Sequence, residues 1–171
     1  MYKAFNSSKN YGFEEYYRKN KSTYFVHHDL LYGLPFADGA VPNIFTSHFL
    51  EHLTRTEAEA LMADCYRVLR KGGMIRICVP DLDVAVQKIS SALVAYREGD
   101  VRLIVEYVTS SQSDYLGPYS FHKWMYNFGE MRDLLDEYGF RNITQQCFKR
   151  GDIPDVELLD TRRGLYVEAR K

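Results

Sequence analysis

The segment from Asn43 to Asp83 restricts the fold of this chain more than any other, because it holds a whole strand–helix–strand unit with its junctions marked. Asn43–Ser47 (NIFTS) is a β-prone run that follows the turn-rich Asp38-Gly39-Ala40-Val41-Pro42. Thr54-Arg55-Thr56-Glu57 has the spacing of a capping box, in which the threonine oxygen takes a free helix N–H and the glutamate reaches back to the threonine N–H. Ala58, Leu61, Met62, Cys65, Val68 and Leu69 then recur at helical spacing and form one apolar stripe. Arg67, Arg70 and Lys71 crowd the last turn, where cations complement the helix dipole. Gly72-Gly73 read as a left-handed stop. Met74–Val79 follows as an unbroken β-prone run ended by Pro80, the pattern of a central parallel strand buried on both faces.

The flanks extend this alternation. Tyr24–His28 reads as a short strand ending at Asp29. Leu82–Tyr96 reads as a helix with Val84, Ile89, Leu93 and Tyr96 facing inward, and Asp81 before it as a turn or cap residue. Val101–Val108 reads as a further helix, and Ser110–Tyr119 as a polar loop. Asn127 opens another helix with Glu130 at the capping offset, running through Met131, Leu134 and Leu135 to Gly139. Phe140–Phe148 and Leu165–Ala169 are two closing strands around the loop Lys149–Gly164, joined without a helix and so expected to pair antiparallel at one edge. In His122-Lys123-Trp124-Met125-Tyr126, the lone tryptophan is expected to fill a core. Strands alternating with helices imply an α/β fold with a sheet wrapped by helices.

Composition narrows the function classes. At 171 residues the chain, 1–171, is expected to be one domain. Its 22 basic and 23 acidic residues give a net charge of −1, so no basic footprint for nucleic acid is present. Cys65, Cys78 and Cys147 are widely spaced with no CxxC pair, which predicts free thiols, the first two buried. The N-terminal MYKAFNSSKNYGF has no apolar signal-peptide core, and no run reaches membrane-spanning length, so a cytoplasmic protein is expected.

Three groups of residues resemble the compact type 11 subgroup of class I S-adenosylmethionine (SAM)-dependent methyltransferases. The first comprises His28-Asp29-Leu30, Leu34-Pro35-Phe36 and Ser47-His48-Phe49-Leu50-Glu51-His52-Leu53. The second is Tyr66-Arg67-Val68-Leu69-Arg70-Lys71-Gly72-Gly73 with Arg76–Asp81 (RICVPD). The third is His122–Tyr126 with Ile153-Pro154 and Leu165–Arg170. The resemblance implies a three-layer Rossmann-like sheet, mostly parallel, with an antiparallel C-terminal hairpin. It implies SAM as cofactor and a small molecule or saccharide as methyl acceptor, with the acceptor-specific loop within Ser110–Tyr126. A symmetric homodimer is the default expectation.

By that resemblance Asp29 and Leu30 lie beside the adenine, and Phe36 covers it. Ser47 and His48 line the methionine part and the reacting centre. His48 is then the first candidate for a general base, since imidazole titrates near neutral pH, and His122 is the second. A glycine-rich loop should fall near Phe5–Ser8, where small residues admit the cofactor's amino-acid end. This chain reads Ala4-Phe5-Asn6-Ser7-Ser8 there, so Asn6 and Ser7 are the residues that would contact SAM in the glycines' place. Glu14 and Glu15 are the nearest acids to the expected ribose-binding position, and Pro42 stands where the family often has aspartate. The alternative is a non-catalytic pseudo-methyltransferase serving as a binding or assembly module, with Phe5 in the cofactor's space. His48-Phe49-Leu50-Glu51-His52 also matches the H-x-x-E-H pattern of inverzincin peptidases. Zinc there needs both histidines on one continuous helix and a distant third ligand. Because a helix starts only at Thr54, no metal site is expected, and Glu51 and His52 read as capping residues.

Overall fold

The structure, a computed structural model, describes residues 26–101 and 122–171. In chain order these form β1 (Val41–Ser47), α1 (Arg55–Val68), β2 (Leu69–Val79), α2 (Leu82–Arg97), α3 (Phe128–Glu137), β3 (Arg141–Gln146), α4 (Val156–Leu159) and β4 (Leu165–Arg170). The strands make one sheet in the order β1-β2-β4-β3. β1 and β2 pair in parallel, joined by the α1 crossover, whereas β4 is antiparallel to both β2 and β3. Among the described residues the sheet thus has one parallel pairing and two antiparallel ones, and its reversed C-terminal hairpin is as expected.

The local signals explain the helices. Both halves of the α1 capping box form: Thr54 Oγ1 accepts from the Glu57 N–H, and the Glu57 carboxylate accepts from the Thr54 N–H. Asn127 caps α3 through the Glu130 N–H, and Gly139 beyond its end has φ +91°. Asp81 caps α2 through the Asp83 N–H. The sheet's two faces then divide by the strand period of two. Ile75, Ile77 and Val79 of β2 and Leu165, Val167 and Ala169 of β4 pack with Leu61, Met62 and Cys65 of α1 and Met131, Leu134 and Leu135 of α3. The opposite face holds Met74 with Ile153 and Leu159, and the buried Arg76. β2 is therefore covered on both sides, as its apolar run predicts. Cys65 and Cys78 are buried free thiols, and Cys147 is an exposed one.

Several expectations are corrected. Val26–His28 is not a strand; Asp29 instead caps a 3-10 turn at Leu30–Tyr32 through the Leu31 N–H. Tyr24 and Phe25 lie outside the described residues, as do most of the expected helix Val101–Val108 and the loop Ser110–Tyr119. Gly72-Gly73 does not stop α1. The helix ends at Val68 because Leu69 is extended, fully buried and paired with Val41, so the two glycines fall inside β2. Gly73 is needed there for closeness: a Cβ would stand 2.8 Å from the carbonyl oxygens of Arg70 and Pro42. On α2, Val84, Leu93 and Tyr96 are exposed and Ala92 is the buried residue, because a helical period marks a stripe without saying what lies opposite. Trp124 is 41% exposed and Tyr126 fills the core in its place. The loop Lys149–Gly164 contains α4, whose Leu159 packs under the sheet. Among the described residues no helix is long and apolar enough to cross a membrane.

Candidate active site

The carboxyl ends of β1 and β2 are where an open α/β sheet leaves a crevice for ligands. β1 ends at Ser47, opposite Cys78 of β2, and the His48 N–H donates to the Cys78 carbonyl at 2.9 Å. His48 then takes φ +51°, a left-handed conformation uncommon for a residue with a side chain. That reversal lets Leu50–His52 close as a 3-10 turn, which sinks Leu50 and Leu53 into the core ahead of α1. The same turn takes Glu51 inside, leaving it 1% exposed.

Four titratable side chains converge around this turn. His48 Nδ1 stands 3.2 Å from Glu51 Oε1, and His52 Nε2 stands 4.0 Å from the same oxygen. The His122 ring meets the His52 ring edge to face, with centroids 5.2 Å apart. The incoming segment is tied down by its backbone, since the N–H groups of Lys123 and Trp124 both donate to the Glu51 carbonyl, at 2.7 and 3.2 Å. Local pattern placed Glu51 and His52 in a capping role. Their burial and their meeting with His122 are tertiary facts, and the only sequence trace of them was the H-x-x-E-H spacing.

The electrostatics separate the two histidines first considered as bases. The Cys78 side chain and the Glu51 carboxylate hold the His48 imidazole up, to about 9, against the opposing effect of burial. At neutral pH His48 is then a cation that can donate a hydrogen bond but not take a proton. Burial lowers His122, opposed by Glu51, so its ring keeps a free lone pair. His48 Nε2 is buried without a hydrogen-bond partner among the described residues. An orphaned buried donor at a strand end is the kind of group a bound polar ligand satisfies, so this corner fits the methionine end of SAM or an acceptor oxygen.

Ser47, His48 and His122 are thus brought to one place. Asp29 and Leu30 form a separate turn whose following loop is fastened to α1. The Leu34 N–H donates to Asp64, while Arg67 reaches Asp64 at 2.6 Å, Asp38 at 2.7 Å and the carbonyls of Phe36 and Leu34. Asp29 remains exposed, with Oδ1 taking the Leu31 N–H. Asn6 and Ser7 lie outside the described residues. Tyr126 sits behind the site, its carbonyl accepting from the Leu82 N–H and its phenol oxygen buried without a hydrogen bond among the described residues. Tyr126→Phe is therefore expected to be neutral or to raise stability by up to about 1 kcal/mol, since it removes an unsatisfied group and keeps the ring. Urea unfolding checks this, and a loss beyond that size would mean that the hydroxyl has a partner.

Comparison with known proteins bears on the fold. Residues 8–77 match the family profile described as a methyltransferase domain, type 11. A SAM-dependent methyltransferase from Archaeoglobus fulgidus superposes with a TM-score of 0.54 at 16% identity, over 92% of this chain and 72% of its own. A SAM-dependent methyltransferase from Thermotoga maritima superposes with a TM-score of 0.50 at 18% identity, over 88% of this chain and 66% of its own. These likenesses establish the fold. No curated protein sequence matches the chain. The profile match over residues 8–77 and the shared fold thus make the chain similar to SAM-dependent methyltransferases of type 11.

Proposed function

We propose that the protein transfers a methyl group from SAM to a small molecule or saccharide, with Ser47, His48 and His122 at the reacting centre and Asp29 and Leu30 at the adenine. The observation that supports this most is the convergence of His48 and His122 at the carboxyl end of β1, where the fold places its ligands. SAM supplies an electrophilic methyl group, so the protein has chiefly to hold an acceptor in line and exclude water. His48, cationic beside Glu51, anchors a polar group by donation. His122, with its lone pair free, is the group placed to receive the acceptor's proton. Asn6 and Ser7 are assigned to the cofactor's amino-acid end in the family's glycine positions.

Calorimetric titration with SAM and S-adenosylhomocysteine tests the reading. Binding of both in the micromolar range is expected. A folded protein that binds neither would instead favour the non-catalytic module. Asp29→Ala is expected to weaken SAM binding about tenfold, the cost of one charged hydrogen bond. Unchanged affinity in that variant would remove the adenine from this turn.

A further inference from the structure

We infer that Glu51, His52 and His122 form a binding site for one zinc-class divalent metal ion. The inference rests on the cluster itself and does not require methyl transfer; with the ion bound, the His122 lone pair goes to the metal, and His122 is then a ligand instead of the proton acceptor. One ligand atom from each residue lies within 4.8 Å of the others, the carboxylate buried, His52 half-buried and His122 exposed. Tetrahedral zinc at about 2.0–2.1 Å from its ligands separates them by roughly 3.4 Å, so the three must close by up to about 1.4 Å. The two histidines are the more exposed members and can turn to do so, while Glu51 is held in the core.

Two independent features point to a ligand. Glu51 is 1% exposed and neither carboxylate oxygen makes a hydrogen bond among the described residues. Burying a carboxylate costs several kcal/mol unless a cation or hydrogen bonds compensate it. His48 Nδ1 stands 3.2 Å from Oε1 and offsets part of that charge, yet neither oxygen has a hydrogen-bond partner among the described residues. The other feature is the loop tether. Two backbone hydrogen bonds from Lys123 and Trp124 to the Glu51 carbonyl fix the segment that presents His122, so its approach is built by the backbone.

The donor set selects the metal. Two imidazoles and one carboxylate suit zinc or a neighbouring transition metal, and are poor ligands for magnesium or calcium, which prefer all-oxygen shells. Three protein ligands leave a fourth position for water or a substrate oxygen, the arrangement of a catalytic rather than a structural zinc. The H-x-x-E-H spacing meets this requirement by a route that a helical template does not foresee. His48, left-handed at φ +51°, pairs with Glu51, and His122 supplies the second imidazole of the cluster beside His52.

The test uses the full chain after EDTA dialysis, titrated with Zn²⁺ by calorimetry and with Co²⁺ by visible absorption. One equivalent should bind, and Co²⁺ should give the intense absorption of a tetrahedral site. His122→Ala alters an exposed position that the fold does not need, and should weaken metal binding roughly tenfold or more. His52→Ala should do the same. SAM affinity is measured on the same wild-type samples, so a wild-type chain that binds SAM but no metal, or metal but no SAM, shows which reading has failed. Absence of stoichiometric binding, or binding unchanged in both variants, would overturn the site, the second outcome placing the metal on some other residue.

Discussion

Replacing Arg76 by methionine is expected to cost about 3–5 kcal/mol of folding stability, read as a large fall in the urea midpoint at unchanged slope. Arg76 lies in the middle of β2 with no exposed surface, on the face away from α1. All five of its N–H donors are used. Nε and Nη2 grip the two Asp160 oxygens at 3.0 and 2.6 Å, Nη1 reaches Glu168 at 2.8 Å, and the carbonyls of Arg150 and Cys147 take the other two. The Tyr166 ring stacks 4.6 Å from the guanidinium. Methionine fills much of the volume but leaves two buried carboxylates without a cation. The loss is a large share of the roughly 5–15 kcal/mol that a domain has in total.

The companion variants show what the network does. Buried ion pairs can often be replaced by apolar groups at no cost, but these carboxylates also serve backbone donors. Asp160 accepts from the Lys149 N–H at 2.6 Å, and Glu168 from those of Asp152 and Ile153 at 2.8 and 3.3 Å. Arg76→Met combined with Asp160→Asn and Glu168→Gln keeps those acceptors and should recover most of the loss. The same background with leucine at both positions orphans three N–H groups and should recover less. Equal recovery by the two would show that charge pairing alone matters, and that the segment 147–160 does not depend on these carboxylates.

This network also marks where sequence reading stops. Met74–Val79 is legible as a buried strand because five of its six residues are apolar, and the sixth, Arg76, gave no sign of its partners far along the chain. Thr54 with Glu57 and Asn127 with Glu130 were legible because a cap is satisfied within four residues. Gly72-Gly73 carried a correct glycine requirement with a partly wrong cause: Gly72 is left-handed at φ +75°, but inside β2 and not as a helix stop, and Gly73 is needed for close approach to Pro42. The inward face of α2 failed for the same reason, since which side of a helix is buried depends on what packs against it. At the site, Ser47 and His48 could be placed from the end of a β-prone run, and His122 could be singled out as a residue. That Glu51 is buried and that His52 meets His122 follow from one left-handed residue and two hydrogen bonds across the fold. No local pattern encodes those.

The left-handed conformation of His48 allows its chemistry to be separated from its structural role. At φ +51° a residue with a Cβ is strained by about 1 kcal/mol relative to glycine. His48→Ala keeps the strain and deletes the imidazole, while His48→Gly deletes both. The glycine variant should therefore be the more stable by about 1 kcal/mol in urea unfolding. Both variants lose a buried hydrogen-bond donor at the proposed reacting centre, and such a loss is expected to lower turnover by roughly a hundredfold. Methyl transfer, followed as S-adenosylhomocysteine released with an acceptor found by screening hydroxylated small molecules and saccharides, should fall alike in the two. SAM affinity should change less than about threefold, because a group that acts on the transition state leaves ground-state binding largely intact. If turnover instead tracked stability, with the glycine variant well above the alanine one, the imidazole would have no part in the reaction. His48 would then matter only as the bend that carries Glu51 into the core.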